Sequence, residues 1–321
     1  MLNRRQLRVK VVQAIYAYEQ SGNDRMDLGE KELFISLENI NRLFITQLSL
    51  LLEVSDFASQ RIEEAKKKFF PTEEEKNPSV RFVENRLLAL IRNNIDVQRK
   101  IKVYKVSWKD EKDMIRKIDL TMKESELYQN YIHAANDSFQ TDKSFLDKFY
   151  MHFFVGNEAL ESFYEEQNIH WASDLDIVNN LILRYIKSIK EDSDETTPLP
   201  QLFPIDNIDG ISEDRLFVRD LFRKTILHYD EYTAMIAERA VNWEFDRIAT
   251  MDKLLLRMAV AELLEFPSIP IKVTLNEYIE LSKIFSTPRS RIFINGILDK
   301  LIAQSRAEGK INKTGRGLMD K

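Results

Sequence analysis

The sequence predicts an all-α fold, and three observations predict it. Helix breakers are scarce: of 321 residues 8 are Gly and 8 are Pro, and between Pro78 and Pro198 the sole Gly is Gly156. Leu, Glu and Lys, all good helix formers, are abundant. Apolar residues recur at helical spacing along most of the chain. One run, Asp252–Phe266 (DKLLLRMAVAELLEF), is apolar on almost every side, with a thin polar seam of Asp252, Lys253, Arg257, Glu262 and Glu265. A helix of that kind is one that other elements surround, and it is too short and too charged to span a bilayer.

The elements follow in order. Asn3–Gln20 reads as a helix stopped by Gly22, with Leu7, Val11, Ala14, Ile15 and Tyr18 on one face and Arg4, Arg5, Arg8 and Lys10 elsewhere. Met26–Lys190 is a long helical region opened by Leu33, Leu37, Ile40, Phe44 and Leu48. It is interrupted by a loop at Pro71–Pro78 and continues through Phe82–Val103, Met114–Met122, Leu127–Phe139, Ser144–Phe163 and Asp174–Ile189. Its aromatics, including Phe69, Phe70, Trp108, Phe145, Phe149, Phe153 and Phe154, are expected in the core. Glu191–Asp214 holds eight acidic residues, no basic ones, and Pro198, Pro200 and Pro204, which reads as a surface connector. Helices resume at Leu216–His228 and Glu231–Val241, and WEFDRI leads into the central helix. Pro267 and Pro270 end that helix. Thr274 with Glu277 reads as a capping box starting the next one, and Thr287 before Pro288 reads as the start of the last. Gly296 lies inside that last helix, where it costs about 1 kcal/mol relative to alanine, and this implies close approach of a helix or a ligand. After Arg306 the chain turns polar and Gly-dotted and is expected to be a disordered basic tail.

Composition excludes several function classes. Net charge is −5, so the bulk surface is no polyanion binder, but residues 1–20 carry +3 and the remainder −8. A helix start favours acidic side chains, so three arginines there cost a few tenths of a kcal/mol each unless an anion offsets them. A nucleic-acid backbone is one such anion; a solvated basic face and a membrane-surface helix are the alternatives. The chain has no Cys, which removes disulfides, thiolate metal sites and cysteine nucleophiles. His133, His152 and His170 show no paired ligand spacing. No P-loop, Gly-rich dinucleotide turn, HExxH or GxSxG occurs, so no cofactor, metal or catalytic residue is expected. With no apolar h-region at the start and no uncharged window of membrane-spanning length, the expected compartment is the cytoplasm, with no membrane partner.

The opening RRQLRVKVVQAIYAYEQ and the closing DKLLLRMAVAELLEFPSIPIKVTLNEYIELSKIF…FINGILDKL together resemble the NusB family, bacterial transcription antitermination factors. LFVRDLFRKT, Leu216–Thr225, fits the helix entering the second half of that fold. The resemblance implies a NusB-like helical bundle of two helical subdomains, enlarged by an inserted helical region. It divides the chain into 1–45, the first part with its Arg-rich helix; 46–190, a helical insertion; 191–210, an acidic linker; 211–305, the C-terminal part; and 306–321, the tail.

It further implies a non-enzymatic RNA-binding protein that binds boxA-like single-stranded RNA of rRNA transcripts. The partners it implies are NusE, which is also a small-subunit ribosomal protein, and indirectly the RNA polymerase elongation complex. By residue match Arg4, Arg5 and Arg8 fall on the RNA-contacting helix start, and Phe285 and Phe293 on aromatics flanking the RNA-binding turn. Tyr16, Asp252 and Glu262 fall on or near the NusE-facing surface. The turn itself departs from the family: Arg289, Ser290, Arg291 and Ile292 stand where relatives have an acidic residue and Ser-His-Lys. Unpaired RNA is held by phosphate-neutralising cations and by aromatic planes that stack bases. Arg4, Arg5, Arg8, Lys10, Arg289 and Arg291 suit the first task and Phe285 and Phe293 the second, with ordinary helix packing as the alternative for both phenylalanines. Two other readings stay open. One is a helical protein–protein scaffold without RNA binding; the other is an RNA-modifying enzyme, against which the lack of Cys and of a cofactor pattern counts.

Overall fold

The computed structural model describes residues 2–319 except 23, 71, 202, 204–211 and 241–246. WEFDRI therefore lies largely outside the described residues, as does most of the second half of the acidic connector. The rest is helical, with no strand among the described residues. The helices are α1 (Arg4–Ser21), α2 (Met26–Lys66), α3 (Glu73–Lys76), α4 (Arg86–Asn93), α5 (Ile95–Tyr104), α6 (Lys112–Glu124), α7 (Glu126–Ile132) and α8 (Phe139–Phe153). They continue with α9 (Glu158–Gln167), α10 (Ile169–Ser188), α11 (Glu213–Leu227), α12 (Tyr229–Ala237), α13 (Thr250–Glu265), α14 (Ile271–Phe285) and α15 (Ser290–Ala307). A 3-10 turn at Gly315–Leu318 lies near the end of the described chain.

The chain forms two compact units, one from Met1–Leu37 with Phe203–Lys321 and the other from Glu38–Leu202. The sequence placed these boundaries at 45/46 and at the 191–210 connector. The first part of that connector is pinned rather than free: Ile95 donates its backbone N–H to the Glu195 carbonyl, Asn94 donates its side-chain amide to the Thr197 carbonyl, and Leu199 is buried.

In the first unit α13 packs against α1, α11, α12, α14 and α15, and eleven of its residues, from Asp252 to Leu263, are buried. Its apolar circumference leaves no face for water, so neighbours enclose it. α1 starts on a reciprocal cap, in which Asn3 accepts from the Gln6 backbone and the Gln6 side chain accepts from the Asn3 backbone. It ends at Gly22, whose φ of 60° is the left-handed conformation that closes helices. The first turns of α2 approach α1 and α11 closely at Gly29, where a Cβ would fall 2.8 Å from Tyr18 and 2.9 Å from Phe222.

Three local expectations are corrected here. α14 begins at Ile271 and not at Thr274; Thr274 lies inside the helix, where its hydroxyl donates to Glu262 at 2.9 Å. α15 begins at Ser290 rather than behind Thr287, because Thr287 and Pro288 form the turn ahead of it. Gly296 meets no atom within 4 Å, so among the described residues no helix approaches it.

In the second unit the middle of α2 is as enclosed as α13: Ile40, Leu43, Phe44, Ile45, Leu48, Leu50, Leu51 and Val54 are buried. Gln47 lies among them, accepting from the Tyr164 hydroxyl and donating to Asn179, which also accepts from Tyr150 at 2.6 Å. A buried amide needs such partners. Phe82, Phe145, Phe149, Phe153 and Phe154 form an aromatic core, with Phe145 stacked 3.8 Å from Tyr131. The stretches expected as continuous are broken. Asn85 caps α4 and Asn94 caps α5, while Gly156, at φ 70°, separates α8 from α9. Phe69 and Phe70 correct the core expectation outright: they are 90% and 87% exposed, paired edge to face behind Lys66, Lys67 and Lys68.

Candidate nucleic-acid interface

The arginines expected at the helix start divide by depth. Arg8 points inward and is 2% exposed. Its Nε and Nη2 each donate to Glu262 of α13 at 2.7 Å, a two-pronged pair between side chains almost fully withdrawn from water. Burial alone would make the guanidinium easier to deprotonate, but the Glu262 carboxylate overrides that and holds Arg8 above its ordinary range. Thr274 and Tyr278 of α14 donate to the same carboxylate. Burial, and the Glu262 charge after it, push the Tyr278 phenol well above its ordinary value. One carboxylate thus ties α1, α13 and α14 together. Arg8 and Glu262 are corrected accordingly: neither faces solvent, because each neutralises the other inside the core. Lys10 is also buried, at 1% exposure, and is no surface cation.

Arg4 and Arg5 stay near the surface, and protein carboxylates already answer their charge. Arg4 donates to Asp214 at 3.0 Å, lies 3.8 Å from Glu213, and sits 4.9 Å over the Phe217 ring. Arg5 makes a two-pronged pair with Glu277 of α14, at 2.8 and 2.9 Å. That hydrogen-bonded pair raises the Arg5 pKa. The anions that the helix start calls for are therefore supplied from within the fold. Both arginines remain about two-fifths exposed, so a phosphate has access to them.

The α14–α15 turn carries the other half of the expected site. Arg289 and Arg291 are exposed, Ile292 is 71% exposed, and Phe285 and Phe293 are half-buried. Ser290 is buried, held by the Ser286 and Thr287 hydroxyls at 2.9 and 3.0 Å, which fixes the turn. The hollows beside the first half do not extend to this turn. The hollows beside Arg4 and Arg5 are lined from Ser268 to Glu277 and by Arg316, and contain none of Arg289, Arg291 and Phe293. Glu277 and Phe285 are eight residues apart on α14, about 12 Å along the axis, a span one short oligonucleotide can bridge.

Of the residues expected to face a protein partner, Tyr16 is exposed at 39%. Asp252 is buried at 5%, with one carboxylate oxygen lacking a hydrogen-bond partner among the described residues. This corrects its placement on an open surface. Arg257, from the polar seam of α13, bonds Glu19 of α1 at 2.5 and 2.8 Å and lies 4.1 Å over the Tyr229 ring.

Sequence reasoning missed the closing segment. Residues 310–319 are not a loose tail. Lys313 donates to the Phe266 carbonyl at 2.9 Å and the Glu262 carbonyl at 3.4 Å, capping the C-terminal end of α13. The Thr314 backbone N–H donates to the Pro267 carbonyl at 3.0 Å. Gly317 is buried so closely against Pro267 that a Cβ would stand 2.0 Å from its carbonyl oxygen.

The fold and site of the first unit define the class: an all-α bundle built round one enclosed helix, with arginines exposed at one end of the first helix and at the last interhelical turn. A family model described as the NusB family matches residues 185–303; α1 precedes the matched segment. Over 105 residues the chain is 47% identical to the transcription antitermination protein NusB of Salinibacter ruber, a match covering 33% of this chain and 66% of the relative. Identity to the protein of that name from Chloroherpeton thalassium is 40% over 104 residues, 32% of this chain and 49% of the relative. With that of Geobacter sulfurreducens it is 39% over 121 residues, 38% of this chain and 88% of the relative. The chain thus spans about two thirds of the first of these relatives and half of the second. It belongs to the NusB family.

Proposed function

We propose that this chain is a non-enzymatic RNA-binding transcription antitermination factor. It binds boxA-like single-stranded RNA of rRNA transcripts together with NusE and thereby acts on the RNA polymerase elongation complex. Arg4, Arg5, Arg289 and Arg291 neutralise phosphates, and the half-buried Phe285 and Phe293 offer ring faces to bases. Tyr16 is the expected NusE-facing residue that is open to a partner. The observation that carries this reading is the family membership of a unit that exposes four arginines at α1 and at the α14–α15 turn.

The test is binding of a boxA-like RNA as a function of salt, with and without NusE. Log affinity should fall linearly with log salt, and Arg4→Ala and Arg5→Ala should each lower the slope by about 0.7, the value for one single-strand phosphate. NusE should tighten the complex. A salt-independent signal, or slopes the variants leave alone, would remove the reading.

One observation favours a second reading, a protein–protein scaffold without RNA binding: Arg4 and Arg5 already have carboxylate partners. In that case NusE would be captured with no RNA shift in a gel.

A further inference from the structure

The closing segment is held in place by contacts that have nothing to do with charge attraction at a distance. Lys313 caps α13, Thr314 bonds to Pro267, and Gly317 fits where only a hydrogen can stand beside the Pro267 carbonyl. The result of this seating is the position of Arg316. It is exposed, it has no ion-pair partner among the described residues, and it lines both hollows that flank Arg4. The hollow on the Arg5 side, about 560 Å³, is walled by four arginines and by a single carboxylate, Glu277. Arg8 is answered from behind by Glu262, which leaves Arg4, Arg5 and Arg316 to face the opening. Val273 and Met319, 42% and 74% exposed, supply apolar surface beside them.

We propose that residues 310–319 form a fixed strap that sets Arg316 in this groove as a further phosphate-contacting residue for single-stranded RNA, next to Arg4 and Arg5. The inference rests on the RNA-binding reading above and extends its site to a segment that family resemblance does not reach. A phosphodiester strand suits the groove better than an acidic peptide. Its charges repeat along a thin backbone and are paired with flat apolar bases, matching arginines interleaved with Val273 and Met319. Arg316 also differs from Arg4 and Arg5 in that no carboxylate of the described fold has to be displaced before it engages a phosphate.

The experiment uses the full chain and a boxA-like single-stranded RNA oligonucleotide, with affinity measured across a salt series. Three variants are compared with the wild type. Arg316→Ala should lower the log–log slope by about 0.7, and Arg316→Lys should restore most of it. Gly317→Ala keeps every charge but forces a Cβ onto the Pro267 carbonyl, so it should unseat the strap and lower the slope as Arg316→Ala does. Helical circular dichroism should be unchanged in all three. If Arg316→Ala lowers the slope while Gly317→Ala leaves it intact, the segment acts as a loose cation and the strap is overturned. If the wild type binds RNA and Arg316→Ala matches it, Arg316 is no contact, and the function proposed above stands without it. An Arg316→Ala defect confined to NusE capture assigns the groove to protein and likewise overturns the inference. A wild type that binds no RNA overturns the RNA-binding reading and this inference with it.

Discussion

At the scale of single residues, the Arg8–Glu262 pair shows how little a formal charge says about where it acts. In sequence, Arg8 is one of three arginines in the first turns of a basic helix. In the fold it is the largest buried side chain of that helix and shares one carboxylate with Thr274 and Tyr278. Removing either partner strands the other in the core. Arg8→Ala should therefore destabilise the protein by about 3–5 kcal/mol, measured by denaturant unfolding, with RNA affinity lost only in step with the folded fraction. The double change Arg8→Met with Glu262→Leu should recover much of that loss, because replacing both charges with apolar groups of similar volume is often close to neutral. A single variant as stable as the wild type would show that the carboxylate is satisfied without the arginine.

At the scale of elements, two glycines inside helices make opposite demands. Gly296 faces open space, whereas Gly29 lies under Tyr18 and Phe222. Gly296→Ala should stabilise α15 by about 1 kcal/mol through helix propensity alone. Gly29→Ala gains the same propensity but forces a methyl into rings at 2.8 and 2.9 Å, and overpacking of that kind typically costs 1–3 kcal/mol. Its melting temperature should fall, not rise. Should Gly296→Ala instead weaken RNA or NusE binding while raising stability, that face of α15 is a contact surface. At the same scale, the starts of α14 and α15 depart from the local pattern for a physical reason. Thr274 and Glu277 have the residue types of a capping box, yet Thr274 serves Glu262 and Glu277 serves Arg5. A local pattern cannot distinguish side chains serving their own helix end from side chains serving a distant helix.

At the scale of the whole molecule, the parts visible in the sequence are those whose physics is local. α13 was legible because a helix with no polar face has one way to be solvated, and α1 because Asn3 and Gly22 bracket it. The closing segment was illegible because its seat is the set of carbonyls at Glu262, Phe266 and Pro267, some fifty residues earlier. Phe69 and Phe70 defied the usual association of aromatics with cores, since only the three-dimensional end of α2 shows that no described residue covers them. Each unit has its own enclosed helix and apolar core, which separates stability from binding. Phe149→Ala in the second unit deletes a fully buried ring of the aromatic cluster and should cost about 3–5 kcal/mol. Under conditions where that variant remains folded, RNA affinity and its salt slope should match the wild type. A changed slope would mean that the second unit contributes charge to the same ligand.

The pairing of Arg4 with Asp214 and of Arg5 with Glu277 has a kinetic consequence. A strand drifting toward α1 meets two compact dipoles where a tally of basic residues would place bare monopoles, and a dipole's field dies away faster with distance. Long-range steering there is correspondingly weak. On the RNA-binding reading proposed above, capture at Arg4 and Arg5 would proceed at touching range, as a phosphate trades places with a carboxylate, and selectivity among strands would reside in how slowly they leave.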